Sequence, residues 1–530
     1  MKRTVTLILS LILTLQLFSC AGNGEKAETE PSSSTLPAEY GSFDSWLSYG
    51  TLKITGRTRA PRNEVKSTTL LVAKNESESV QLSFRSEKEL KGLTLSIRGE
   101  AEGVSTEIFE EYLITLGSAE LPDAIVPLSD EFTVQPEKTK TFLVRFNVSE
   151  DAVSGDHSFY VELKHGEAVL ESYEISLSVM GYALPDEYFT PVYTKVDMNQ
   201  IRLKEKLPTN KVKEYYRKYY DFLLDYGVTV KGLPYDILDD RADAYMSDPK
   251  ITAFSVDPNL SDEELILIYE KLCSNPEWLE KAEATVYDEP TTIEHLDEYI
   301  ARASRIKELC PELAIYTAYF RNIKYDESRD TVDIIAEYTN EFCVKSCAWG
   351  DGWLADPLKK GSFAERIRDL AGEDGMVQWY VCWEPKDPYC NLQIDESALN
   401  HRVLFWQQYF YDVDALTYWY ANYWLLVTDP WTDMATVKDL SEECYGDGSL
   451  LYPGKAVGID GPVASIRLDC IRDGLEDIAL LKLAERELGR EWVIERVSTV
   501  TPSVTEHTQS TDVFGSVRDE ILKALNEKLG

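Results

Sequence analysis

The sequence predicts a multidomain β and α/β protein: an N-terminal β-sandwich followed by a (β/α)8 TIM barrel with helical C-terminal elements. Two patterns support this prediction. Residues 45–187 contain short alternating strands, and residues 188–462 contain eight apolar strands that mostly alternate with helices. The length of 530 residues agrees, because it exceeds one ordinary domain.

The start of the chain is typical of an export signal. Lys2 and Arg3 precede an apolar stretch over 5–18 that is too short to span a bilayer, which favours a signal peptide over residues 1–20. The stretch ends in Leu17-Phe18-Ser19-Cys20, which resembles a bacterial lipobox and implies lipidation of Cys20. An ordinary cleaved signal with a chance cysteine is the alternative.

The next segment, residues 21–44, is rich in Ala, Gly, Glu, Ser, Thr and Pro, and we interpret it as a flexible tether. No later segment has 18 consecutive apolar residues, so a lipid anchor is the one membrane contact expected. The predicted location is the outer membrane, on its periplasmic face or at the cell surface.

The segment 45–187 shows period-two alternation and many β-branched residues, with Gly, Asn and Asp between the runs. Short strands at regular spacing favour a β-sandwich. The strand candidates are 51–54, 68–72, 79–84, 93–97, 141–146, 158–163 and 173–180.

The segment 188–462 has a different pattern, in which strands alternate with helices and predict the barrel. Ser261-Asp262-Glu263-Glu264 is a capping box that begins one of these helices. The strand candidates are 191–196, 227–231, 251–256, 283–287, 313–319, 341–347, 376–382 and 414–420, and the helix candidates are 209–225, 262–273, 291–309, 363–371 and 397–411.

The C-terminal region, residues 463–530, reads as helical. Apolar residues have helical spacing over 463–488, and a Ser/Thr-rich joint at 498–512 precedes a final amphipathic helix near 514–528.

Charge and metal-ligand content exclude several function classes. The formal net charge of −38 repels nucleic acid and anionic lipid, and favours solubility. The five His show no metal-ligand spacing and no CxxC pair occurs, so we expect neither a metal nor another cofactor. The eight Cys beyond Cys20 could form disulfides or lie buried in strands. The sequence leaves the oligomeric state open.

Acidic and aromatic residues follow the predicted barrel strands, where TIM barrels carry their active sites. Carboxylates bind hydroxyls and aromatic rings stack on sugar faces, so a neutral carbohydrate is the expected ligand. These strand ends are Asp197, Asp257, Asp288-Glu289-Pro290, Asp351, Trp383-Glu384-Pro385 and Asn422-Tyr423-Trp424.

The adjacent acids Asp288 and Glu289 suit one kind of glycosidase chemistry. Neighbours on an extended strand point to opposite sides, so the two do not flank a glycosidic bond unless the backbone turns there. In substrate-assisted glycosidases the sugar's own 2-acetamido group is the nucleophile. One carboxylate then orients that group while its neighbour protonates the leaving oxygen.

Several segments resemble glycoside hydrolase family 123, whose members hydrolyse terminal β-linked N-acetylgalactosamine with retention. Val286-Tyr287-Asp288-Glu289-Pro290 resembles the family's catalytic Asp-Glu. Segments 74–82, 379–382, 401–406 and 416–424 are similar to its sandwich and late barrel, and segments 429–431, 451–454 and 465–477 are similar to its associated C-terminal domain of unknown function 4091.

The resemblance implies a role for each site residue. Glu289 would be the general acid and then the base, and Asp288 would hold the acetamido group. Cys382-Trp383-Glu384-Pro385 departs from the family's Cys-Cys-Pro run, which brings Trp383 and Glu384 near the site. By position, the sugar pocket would be lined by Tyr380, Trp419, Asn422, Tyr423 and Trp424.

Each of these features has a structural alternative. Asp288-Glu289-Pro290 is also a good helix N-terminus, and aromatics of 418–424 also suit barrel packing. Glu384 could be an accessory acid or a loop wall. Arg472–Asp477 is interpreted as a structural ion-pair network, because it lies on a helix away from the strand ends.

The predicted function is hydrolysis of a terminal β-linked 2-acetamido sugar. A non-catalytic glycan-binding lipoprotein on the same fold is one rival. A glycosidase that pairs Glu289 with another acid, such as Glu384, is the second.

Overall fold

The computed structural model describes residues 42–128, 130–350, 357–358, 362–438 and 444–530. The predicted signal peptide with Cys20, most of the predicted tether and Asp351 lie outside these residues. Within them, no helix is both long and apolar enough to cross a bilayer.

The first part of the chain consists of strands and turns. Its strands are β1 Phe43–Tyr49, β2 Ser67–Lys74, β3 Glu76–Ser86, β4 Leu90–Arg98, β5 Val104–Leu116, β6 Ala119–Pro127, β7 Phe132–Val134, β8 Thr139–Val148, β9 Gly155–His165 and β10 Ala168–Ala183.

These strands form two sheets, ordered β1-β3-β8-β5-β6 and β2-β10-β9-β4-β7. Neighbours are antiparallel except β2 and β10, which run parallel. Both sheets bury side chains in one apolar cluster, with Phe84 and Phe142 from the first and Tyr173 and Leu177 from the second. The alternation in the sequence therefore places the apolar face of each sheet against the other.

The predicted strand 51–54 is wrong. This segment follows the turn after β1 and is an irregular loop, and its apolar residue Ile54 is buried. Gln81 Nε2 donates to Leu52 O at 2.7 Å, so a side chain rather than a neighbouring strand satisfies that carbonyl.

The middle of the chain alternates strands with helices. Its elements are β11 Val192–Thr194, α1 Met198–Lys204, α2 Val212–Asp225, β12 Val228–Val230, α3 Ala242–Met246, β13 Phe254–Val256, α4 Asp262–Cys273, α5 Pro276–Lys281, β14 Ala282–Thr285, α6 Ile293–Leu309, β15 Ala314–Tyr316, β16 Ala318–Tyr319, α7 Thr331–Ala336, β17 Glu341–Lys345, α8 Phe363–Ala371, β18 Met376–Val381, α9 Ala398–Phe410 and β19 Ala415–Tyr418.

All eight predicted strand segments contain parallel strands, in a curled sheet of two parts ordered β12-β11-β19-β18-β17-β16 and β13-β14-β15. The joints between the parts are short. Thr317 alone separates β15 from β16, and Lys231 O, directly after β12, accepts a hydrogen bond from Ser255 N in β13 at 2.8 Å. The ladder is interrupted at both joints, so the full (β/α)8 barrel stays a prediction.

The last part of the chain returns to the first sheet before it becomes helical. Its elements are β20 Ala435–Val437, β21 Cys444–Tyr445, β22 Leu451–Pro453, β23 Pro462–Ser465, α10 Ile466–Leu488, α11 Arg490–Val500 and α12 Thr511–Leu529. β23 pairs with β6 through Ala464 and Ile125, which makes that sheet seven-stranded. Residues far apart in sequence therefore complete the N-terminal sheet.

All eight cysteines of the described residues are free thiols, and no group of His, Cys, Asp and Glu within those residues could hold a metal ion. Cys273 is exposed, Cys382 is half-buried and the other six are buried. Burial, and not disulfide formation, accounts for these six positions.

Candidate active site

A cavity of about 290 Å³ lies at the carboxyl ends of the parallel strands. Asp288 and Glu289 line it together with Lys195 and Lys231. Its walls are mainly aromatic, formed by Tyr193, Tyr316, Tyr380, Trp383, Tyr418 and Trp419. Such a pocket can enclose a small ligand with an apolar face and polar edges.

The two adjacent acids reach the cavity because the backbone turns between them. β14 ends at Thr285, and Glu289 has φ +50°, in the left-handed region that non-glycine residues rarely adopt. Its N–H donates to Ala318 O at 2.9 Å, which ties the turn to the neighbouring strand. The turn removes the opposite-side arrangement of an extended strand, and both residues line one cavity.

The alternative reading of Asp288-Glu289-Pro290 as a helix start is wrong. α6 begins at Ile293, and its N-cap is Thr292, whose side chain accepts from His295 N. The acids therefore precede the first helical turn and are available to a ligand.

Glu289 has one strong partner. Tyr380 OH donates to Glu289 Oε1 at 2.5 Å. Burial, with the Glu289 charge second, raises the pKa of Tyr380 well above its ordinary value. The phenol therefore keeps its proton and holds one carboxylate oxygen, while Glu289 Oε2 is left for a proton or a ligand.

Trp419 is fixed on three sides. Its Nε1 donates to Asp447 Oδ1 at 3.0 Å, and Tyr423 packs on it with ring centroids 4.5 Å apart. Gly448 lies beneath, where a Cβ would come 2.7 Å from the indole and φ is +68°. Asp447 is fully buried, which raises its pKa to about 7. The indole is thus a rigid wall for a flat ligand face.

Three of the residues predicted to bind sugar, Tyr380, Trp383 and Trp419, line the cavity with the acidic pair. Tyr423 lies behind Trp419 and supports it. Glu384 does not line the cavity, and its Oε2 lies 3.7 Å from Lys345 Nζ. Glu384 therefore pairs with the buried lysine that ends β17.

Asn422 and Trp424 do not line the cavity either, which corrects their expected position. Both are fully buried. The Asn422 side-chain amide joins two chain segments, donating to Asp197 O at 3.0 Å and accepting from Asp197 N at 2.8 Å. Trp424 Nε1 donates to Ser449 Oγ at 2.8 Å. After β19 the chain turns into the core, which position in the sequence did not reveal.

Sequence reasoning singled out acidic and aromatic residues at the strand ends and missed the lysines there. Lys195, Lys231 and Lys345 directly follow or end strands β11, β12 and β17, and the first two line the cavity. A lysine at or directly after the end of three of the apolar strand runs was the available signal.

The cavity thiol is unsuited to nucleophilic chemistry. Cys382 lines the cavity, and its Sγ donates to Glu384 O at 3.4 Å. Burial raises the pKa of this thiol to about 12, so it stays protonated near neutral pH. Cys382 therefore forms part of the cavity wall and does not supply a nucleophile.

Comparison with known proteins gives matches to glycosidases. Residues 258–484 match the family model "Glycoside hydrolase 123, catalytic domain". That stretch includes the acidic pair, and also the segments that the resemblance assigned to the C-terminal domain of unknown function 4091, so that separate domain stays a prediction. No curated protein matches the chain.

One solved structure is similar over nearly the whole chain. It is a family 123 glycoside hydrolase from Clostridium perfringens, with a TM-score of 0.67 and 11% identity, covering 92% of this chain and 98% of that one. Two other solved structures are less similar, with TM-scores of 0.31 and 0.24. They are a family 39 glycoside hydrolase from Bacteroides cellulosilyticus and a family 5 xyloglucanase from Bacteroides ovatus. Their identities are 10% and 9%, and they cover 78% and 77% of this chain and 81% and 98% of their own.

The likeness to the Clostridium perfringens enzyme shows the fold of the chain. The family model that matches residues 258–484 supports glycosidase activity for this mixed β and α/β protein.

Proposed function

We propose that the protein removes terminal β-linked N-acetylgalactosamine, or a related 2-acetamido sugar, from glycans by a retaining, substrate-assisted mechanism. One observation carries this proposal: among the described residues, Asp288 and Glu289 are the only carboxylates that line the aromatic cavity. A retaining enzyme with a protein nucleophile needs two carboxylates across the scissile bond. Two acids from one turn approach the sugar from a single side.

In this mechanism Glu289 protonates the glycosidic oxygen while the acetamido oxygen attacks the anomeric carbon. The bond to the leaving group breaks, and a cyclic oxazolinium intermediate forms. Asp288 accepts a hydrogen bond from the acetamido N–H and balances the positive charge on that group. Glu289, now a carboxylate, takes a proton from the water that attacks the anomeric carbon. The oxazolinium ring opens and the acetamido group is restored. Glu289 is again protonated, and the released sugar keeps its β configuration.

The surroundings of the acids fit a neutral sugar. Tyr380 orients Glu289 through one carboxylate oxygen, and Trp419 offers a fixed ring for stacking. The rival pairing of Glu289 with Glu384 has less support, because Glu384 faces Lys345 and does not line the cavity.

Substitution of the two acids tests the proposal. Glu289→Gln keeps the shape and the hydrogen bond from Tyr380 but removes the transferable proton, so kcat on an aryl β-N-acetylgalactosaminide should fall about 10²- to 10⁴-fold. Asp288→Asn should also lower kcat, because it loses the negative charge beside the acetamido group. A thiazoline analogue of the intermediate should inhibit the wild-type protein.

Glu384→Gln is the matched control and should retain activity. Loss of turnover in this control would instead favour the rival acid pair. Wild-type protein that binds glycans but hydrolyses no 2-acetamido glycoside would contradict the proposal, and would favour the glycan-binding lipoprotein.

We also propose that the protein is exported and held at the outer membrane by a lipid on Cys20. The lipobox-like Leu17-Phe18-Ser19-Cys20 supports this. Cys20→Ala should abolish incorporation of labelled palmitate in bacterial cells and release the protein from the membrane fraction. Labelling that persists in the variant would contradict the anchor.

A further inference from the structure

A buried ion pair contributes one of its two members to the wall of the active-site cavity. Lys231 Nζ lies 2.7 and 2.9 Å from the two oxygens of Glu283, and both side chains are almost completely buried. Lys231 lines the cavity with Asp288 and Glu289, whereas Glu283 does not. The lysine is therefore the member of the pair that a ligand in the cavity can contact.

The position of Lys231 is fixed by its backbone and its neighbours. Its N–H donates to Thr194 O at 2.9 Å and its carbonyl accepts from Ser255 N at 2.8 Å. The ammonium sits 3.6 Å from the ring centroid of Tyr316 and 4.5 Å from that of Tyr193. These contacts leave the lysine little freedom, so it presents its charge at one place.

An ammonium has three N–H groups, and the Glu283 carboxylate offers two oxygens to it. Tyr316 OH donates to Cys343 Sγ at 3.1 Å, and the ammonium of Lys231 lies over the ring of Tyr316. Glu283 takes two of the three N–H groups, and a cavity hydroxyl would compete for the third with the ring face of Tyr316. The pair has no net charge, which suits a neutral hydroxyl better than an anion.

A purely structural role explains the pair poorly. Transfer of two charges from water to the interior is costly, and apolar residues of similar volume are often at least as stable. A wall of leucine or methionine would close the cavity without that cost. The pair therefore supplies something that an apolar wall does not, namely a donor aimed at the ligand.

We propose that Lys231, held by Glu283, is a specificity-determining residue that donates a hydrogen bond to a hydroxyl on the far edge of the terminal sugar. This inference rests on the proposed function. The proposal places the glycosidic oxygen at Glu289 and the opposite edge of the sugar ring at Lys231. That edge carries the C3 and C4 hydroxyls. Lys231 thereby selects sugars with a hydroxyl on that edge.

The test combines two variants with three substrates: an aryl β-N-acetylgalactosaminide and its 3-deoxy and 4-deoxy analogues. Lys231→Met keeps the length of the side chain and removes its donors. The double variant Lys231→Met with Glu283→Gln also removes the carboxylate that would otherwise be buried unpaired, and melting temperatures confirm that both variants fold.

On the intact substrate, kcat/KM should fall about 10- to 100-fold in the variants, as expected for loss of a hydrogen bond to a charged group. Wild-type protein should lose a similar factor on one of the two deoxy analogues. The variants should lose little more on that analogue, because the contact is already absent. The same coupling should be seen in Kd, measured by calorimetry with Glu289→Gln added to stop turnover.

If the Lys231 variants lose the same factor in kcat/KM, relative to wild type, on all three substrates, the inference is overturned and Lys231 has a structural role. Wild-type indifference to both hydroxyls would overturn it as well. Either result with active wild-type protein leaves the proposed function intact. Wild-type protein that neither hydrolyses nor binds any of the three substrates would contradict both.

Discussion

The chemistry of the site depends on the local conformation of a few side chains. Glu289 owes its position to a positive φ and its orientation to one phenol, Tyr380. Non-glycine residues in the left-handed region cost energy and are concentrated at functional sites. The turn at Glu289 is therefore the feature that converts two adjacent acids into a pair that faces one ligand.

Tyr380→Phe should lower kcat on an aryl β-N-acetylgalactosaminide about 10-fold or more, because a hydrogen bond to a charged group contributes about 1.5–3 kcal/mol. Steady-state kinetics with the purified variant measures this effect. Tyr299→Phe is the control, since Tyr299 OH is buried in the helix layer without a hydrogen-bond partner. Equal rates for wild type and Tyr380→Phe would show that Glu289 does not need the phenol.

Helices α9 and α10 pack against each other, and α10 also contacts β3 and β6 of the first sheet. On α10, Asp477 accepts from Arg402 Nε at 2.6 Å and from Arg518 Nε at 2.8 Å, all three buried. This is the ion-pair network expected from the charged run after Arg472, and it lies outside the cavity. Gly474 allows the close approach, because a Cβ there would come 2.2 Å from Phe405 Cδ2 of α9.

Gly474→Ala should lower the free energy of unfolding by about 1–3 kcal/mol, because the added methyl forces Phe405 and the helix apart. Denaturant unfolding measures the change. The matched control is Gly515→Ala on α12, where a Cβ would meet Tyr49 Cε1 at an ordinary 3.4 Å. This control should gain about 0.5–1 kcal/mol from helix propensity, so a loss in both variants would contradict the packing argument.

The molecule as a whole carries less charge near neutral pH than its formal −38 suggests. Burial raises the pKa of Glu111 and of Glu396 to about 8, and that of Glu76 to about 7. These carboxyls keep their protons where exposed acids have lost them. The folded state therefore binds more protons than the unfolded chain between about pH 4.5 and 8.

The free energy of unfolding should consequently fall as pH rises through this window, by up to about 1.4 kcal/mol per pH unit for each such group. Glu111→Gln mimics the protonated acid and should make the decline shallower. Urea unfolding between pH 5 and 8 measures the slope. Glu100→Gln, at an exposed position, should leave the slope unchanged, and an identical slope for wild type and Glu111→Gln would contradict the prediction.

The regular elements were the part of the structure that local patterns predicted best. α4 and α8 have the predicted bounds, and the capping box at Ser261 is present. The nine parallel strands β11 to β19 lie in eight segments, each marked by a short apolar run. Strands β1, β5, β6 and β7 of the first two sheets were not predicted. Polar residues interrupt the alternation of apolar and polar side chains in these segments.

The amino-acid sequence alone determined where strands alternate with helices and in which order the all-strand, mixed and helical segments follow one another. It also determined that two adjacent acids lie at a strand end. These follow from spacing and residue type, which act over a few neighbours. Only the folded chain brought Lys231, Tyr380 and Trp419 to those acids, and turned Asn422 and Trp424 into the core. Such contacts join strands that are far apart in sequence, so they depend on closure and packing that no local pattern records.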